Sequence, residues 1–114
     1  MIKIYRGTEI KLKVEIKPEK DITIGSYDFV IELYCSPFKT ARFEYSVEKG
    51  FEEKSNIIKL NTDDSSAIVL LDTNEVGIGD LKCKVTAMVP DSDFNDELRT
   101  EIVIADTGIQ VVLY

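Results

Sequence analysis

Apolar and polar residues alternate with a period of two along most of this chain, the pattern of half-buried β-strands. Ile2 and Ile4 open a short strand, which Arg6-Gly7-Thr8 interrupts. Ile10, Leu12, Val14 and Ile16 then alternate with Lys11, Lys13 and Glu15, giving one dry face and one wet face. Lys17-Pro18-Glu19-Lys20 ends that strand, since proline donates no ladder hydrogen bond. Tyr27, Phe29, Ile31, Leu33 and Cys35 share one parity, while Val30 and Tyr34 make the other partly apolar, which predicts a central strand. After a turn at Ser36-Pro37, the positions Ala41, Phe43, Tyr45 and Val47 alternate with polar residues, as a hairpin partner closed by Glu48-Lys49-Gly50.

The second half continues the pattern. Ile57-Ile58-Lys59-Leu60 is a short strand and Asn61-Thr62-Asp63-Asp64-Ser65 has turn chemistry. The apolar run from Ala67 to Leu71 predicts a buried strand, and Asp72 or Thr73 can N-cap a single helical turn ending near Gly77. Leu81, Cys83, Val85, Ala87 and Val89 alternate with Lys82, Lys84 and Thr86. Pro90 to Glu97 reads as an acidic loop, Leu98 to Ala105 as a strand, and Ile109 to Leu113 as a further one. No segment keeps a helical period. About eight short strands at regular spacing predict an all-β domain over residues 1–114, a sandwich or small barrel. Its core should include Phe29, Ile31, Leu33, Leu81 and Val85.

Composition narrows the function. The 114 residues contain no histidine and no tryptophan. Without histidine there is no Ser-His or Cys-His nucleophile and no imidazole ligand for zinc. An enzyme is therefore not expected. The net charge of −7 works against nucleic acid and anionic membranes as partners. That charge is uneven: residues 1–20 carry +3 and the last 24 residues carry −5. Solvated strand faces account for this, and attraction between a basic end and an acidic end of neighbouring subunits is the sharper reading. The opening Met-Ile-Lys-Ile-Tyr-Arg lacks the apolar run and cleavage site of a signal peptide, so a cytoplasmic protein is expected, with Cys35 and Cys83 reduced.

Gly79-Asp80-Leu81-Lys82-Cys83-Lys84-Val85, following Leu71-Asp72 and a short turn, resembles the E-to-F corner of immunoglobulin-like sandwiches, with Leu81 where the corner tyrosine stands. The opening Ile2-x-Ile4-x-x-Gly7 with Leu12-x-Val14-x-Ile16 resembles the start of Ig-like domains in phage tail and baseplate proteins. The segment from Val89 to Asp96, with Leu98-Arg99-Thr100-Glu101, is similar to small uncharacterised prophage proteins of gut bacteria. The resemblance implies an Ig-like antiparallel β-sandwich of about 7–9 strands. It also implies a structural role in a virion or its assembly, with protein partners or a homo-oligomer and no catalysis.

Other candidate chemistry is thin. Asp91-Ser92-Asp93-Phe94-Asn95-Asp96 matches alternate oxygen positions of a calcium loop but has Asp96 where the sharp turn needs glycine. A solvated turn explains the same residues. Cys35 and Cys83 sit on apolar parities, as small core residues; with the strand of Cys35 in the B or the C place and that of Cys83 in the F place, either pairing could reach disulfide distance. Glu52-Glu53 and Asp63-Asp64 read as surface acids, and Gly77-Ile78-Gly79 lacks the rest of a phosphate loop. Tyr5, Tyr27, Tyr34, Tyr45 and Tyr114 could build a sugar-binding face only by sharing the outer side of one sheet. No catalytic, cofactor-binding or metal-ligating set emerges, and no cofactor is expected. The expected function is a non-enzymatic structural or interaction module of phage tail, baseplate or prophage particle type. The alternative is a ligand-binding sandwich for glycan or calcium. Finally, Ile109-Gln110-Val111-Val112-Leu113-Tyr114 is almost uncharged and apolar on both parities, so its own sheet or a neighbouring subunit must cover it.

Overall fold

The computed structural model describes residues 2–16, 24–36, 38–48, 57–62 and 64–113. The turn residues Pro18, Pro37, Lys49 and Gly50, the acids Glu52, Glu53 and Asp63, and Tyr114 lie outside the described residues.

The period-two segments all form strands. They are β1 (Ile2–Tyr5), β2 (Glu9–Glu15), β3 (Asp28–Ser36), β4 (Lys39–Tyr45), β5 (Ile57–Asn61), β6 (Ser66–Asp72), β7 (Gly79–Pro90) and β8 (Leu98–Val112). They make two sheets, one of order β1-β8-β7-β3-β4 and one of order β2-β6-β5. Neighbours pair antiparallel except β1, which runs parallel to β8. Lettered in chain order from β2 as B, C, C′, D, E, F and G, this is the Greek-key connectivity of an Ig-like sandwich. The β3 strand is the C strand, flanked by β7 and β4, so it is central as its mixed parity predicts.

The inner faces of the two sheets meet in one core. Phe29, Ile31, Leu33, Val69, Leu71, Leu81 and Val89 are all buried there, each on the apolar parity of its strand. Phe29 stacks on Tyr45 at 5.2 Å, and the buried Tyr27 tilts against Phe29 on the other side. Val85 departs from expectation. It shares the parity of Leu81 and Val89 but is only half-buried, because the second sheet does not reach over it.

Two local devices shape the strands around β1 and β8. At the first, the chain crosses from one sheet to the other at Gly7, whose φ of +98° suits glycine. The crossing is pinned by the buried Thr73, whose hydroxyl accepts from Gly7 N–H (2.9 Å) and donates to Thr8 C=O (2.8 Å). Thr73 belongs to the one-turn 3-10 helix Thr73–Glu75, capped by Asp72, whose carboxylate accepts from Asn74 N–H. The second device lies within β8. The two strands expected over Leu98–Ala105 and Ile109–Leu113 are one strand with a bulge. Lys82 faces Asp106 and Asp80 faces Gln110, so Thr107, Gly108 and Ile109 stand opposite Leu81 alone. Gly108 takes φ +77°, its N–H donates to the Asp106 carboxylate, and the Thr107 hydroxyl donates to Leu81 C=O (2.8 Å). These bonds satisfy the backbone at the bulge, so the strand continues past it.

Candidate functional site

The five-stranded sheet is wider than its three-stranded partner, and the excess lies at β8. The inner face of β3 is covered at Phe29, Ile31 and Leu33, but on β7 Val85 is only half-buried, and Val103 and Ala105, inward-facing on β8 opposite Val85 and Cys83, are exposed. An open groove of about 420 Å³ results. Leu12 and Val14 of β2 form one wall, Val103 and Ala105 the other, with Cys83 and Val85 at its floor. Lys13, Glu15, Glu101 and Asp106 also border it.

The groove opens beside a free strand edge. Among the described residues, the N-terminal part of β8 pairs only with β7, since β1 begins its pairing at Ile109. Ile102 and Ile104 on the outer face and Val103 on the inner face are 56%, 59% and 61% exposed. Both faces are apolar at one unpaired edge. From Leu98 to Gly108 that edge has no lysine and no proline, two of the usual guards against strand addition. Its inward charges neutralise each other: the Arg99 guanidinium donates to Asp91 and to Glu101, both at 2.9 Å.

The chemistry open to the groove is apolar binding and strand pairing. Burial pushes the Cys83 thiol up to about 11, so it stays protonated and a poor nucleophile at neutral pH. Burial, and then the Asp80 charge, also raise Cys35. The two cysteines lie on the neighbouring strands β3 and β7, the C–F arrangement, and both are free thiols; Leu33, not Cys35, faces Cys83.

The remaining expected sites disperse. In the tip between β7 and β8, the Asp91 carboxylate accepts from Asp93 N–H and from Arg99, and Asp96 accepts from Leu98 N–H. Those oxygens close the turn, and among the described residues no cluster of three or more His, Cys, Asp or Glu side chains could hold a metal. Asp64 pairs with Lys13, whose ammonium, with a hydrogen bond from Ser66, holds the carboxyl below its usual range. Tyr27 is buried and Tyr45 stacks in the core; of the described tyrosines, Tyr34 on β3 and Tyr5 on β1 lie on the outer face of the five-stranded sheet, separated by β7 and β8. Gly77 and Gly79 both take positive φ in the link into β7.

The uncharged tail lies in its own sheet. Ile109 to Val112 run between β7 and β1, and Val111 is fully buried. The uncovered apolar edge is instead the segment before the bulge. Its signal in the sequence is the unbroken run Ile102-Val103-Ile104-Ala105, apolar on both parities. Among the described residues no helix is long and apolar enough to cross a membrane. Comparison of the chain with protein-family models, with curated protein sequences and with solved structures finds no match.

Proposed function

We propose that this protein is a non-enzymatic structural or interaction module that works by joining protein partners, of the kind that builds phage tail, baseplate or prophage-encoded particles. The observation that carries the reading is the incompletely covered β8, with an apolar groove on its inner side and a bare strand edge beside it. Main-chain pairing at such an edge supplies affinity, and the groove supplies pockets for alternate side chains. The particle setting rests on the resemblance of the β1–β2 segment to tail and baseplate Ig-like domains.

Size-exclusion chromatography with light scattering, run up to high protein concentration, tests the reading. A defined oligomer or ring supports it, and a strict monomer throughout overturns it. Thermal-shift measurements with calcium and common glycans test the ligand-binding alternative. The self-bonded carboxylates of the 91–96 tip weigh against calcium there.

A further inference from the structure

We propose that the β8 edge is a homodimer seam, in which two copies pair antiparallel about a two-fold axis at Val103 and merge their five-stranded sheets. This inference rests on the interaction-module reading above and names the partner as a second copy of the chain.

The register follows from where the free edge starts and stops. It begins at Leu98, after the hairpin tip, and ends at Gly108, because β1 occupies the slot from Ile109 onward. The midpoint of that stretch is Val103. A two-fold axis normal to the sheet keeps both inner faces on one side, so only inner residues can oppose inner residues. Centring on Val103 satisfies this. Ile102 then opposes the second copy's Ile104, and Val103 opposes its own equivalent. Leu98 lies beside Gly108 of the second copy, just short of that copy's β1. Shifting the axis to Ile104 would drive the second copy onto β1. Shifting it to Ile102 would set Glu101 against Val103.

Charge agrees with the same register. Centred on Val103, Glu101 opposes Ala105 and Asp106 opposes Thr100, so no like charges meet although the chain carries −7. The isoleucines gather into one outer-face cluster, while the valine pair roofs the two grooves where they join. Of the end strands β1, β2, β4 and β5, β2 also borders the groove, but it is a poor rival. Its wet face carries Lys11 and Lys13 between the apolar positions, the guard that β8 lacks.

Three variants test the seam. Val103→Cys should give a disulfide-linked dimer under mild oxidation. Leu70→Cys, an exposed position on the outer face of the other sheet, should not, and neither should the wild-type protein. Ile102→Lys combined with Ile104→Lys should weaken the dimer at least about tenfold by light scattering or sedimentation. All four substituted positions are exposed, so circular dichroism should show folded monomers. An oligomer that survives the double lysine variant, with no Val103→Cys crosslink, overturns the β8 seam and leaves the interaction-module reading standing. A wild-type protein that stays monomeric at every concentration overturns both.

Discussion

The two halves of β8 have similar apolar sequence and opposite fates. Ile109-Gln110-Val111-Val112 is flanked on both sides, by β7 and by β1, and Val111 is fully buried. Among the described residues, Ile102-Val103-Ile104 is flanked on one side, and it stays more than half exposed. The difference comes from two things outside both segments. The β1 strand is short enough to cover only the end of β8, and the second sheet is too narrow to cover the rest. Hydrophobicity alone therefore does not decide burial; burial needs a partner whose backbone and side chains reach the site.

The comparison can be broken most severely by truncation. Deleting residues 109–114 should abolish cooperative unfolding, measured by thermal melts in circular dichroism, because it removes the buried Val111 and the part of β8 that pairs with β1. A folded monomer after that deletion would show that the covered half is dispensable. Next, Val111→Ala should cost about 1–3 kcal/mol in urea unfolding, from lost transfer energy and a residual cavity. Gly108→Ala, at the bulge between the halves, should cost about 1–2 kcal/mol. Nothing crowds a Cβ there, so any loss reports the left-handed backbone alone.

A smaller effect is expected in alkali. Burial raises Cys83 from its ordinary value near 9 to about 11, and Tyr27 from 10 to about 12. A group that holds its proton more tightly when folded contributes stability that is complete below its unfolded pKa. Urea midpoints should therefore stay level in this respect up to about pH 9 and fall as pH rises toward 11, as the unfolded chain loses protons that the folded one keeps. Replacing Cys83 with alanine should flatten the first part of that fall. The smallest effect belongs to the uncovered half. Val103→Ala should leave monomer stability within about 0.5 kcal/mol. A loss as large as that of Val111→Ala would mean that this segment is covered after all.

Much of the fold was legible because a strand's period is local. Parity assigned Phe29, Ile31, Leu33 and Leu81 to the core, and each is buried. The helical turn after Leu71 was legible from its cap, since Asp72 has only to reach an N–H two residues ahead. The bulge was not legible. Asp106-Thr107-Gly108 looked like a break between strands, but its side chains bond backbone groups at Leu81 and Gly108 and carry the strand through. Val85 has the parity of a core residue, but the cover above it is missing, which its own strand does not encode.

The candidate site lies at the limit of what one sequence carries. The run Ile102-Val103-Ile104-Ala105, apolar on both parities, was visible, as was the similar run at Ile109–Leu113. By itself the sequence determined which segments are strands, which side chains share a face, and where turns and caps fall, because each depends on residues a few positions apart. Only the tertiary structure decided which of the two runs is enclosed. That depends on β1 returning from the far end of the chain to pair with residues 109–112, and on how many strands the opposite sheet holds. Such pairings depend on the whole set of strands competing for partners, so no local pattern encodes them.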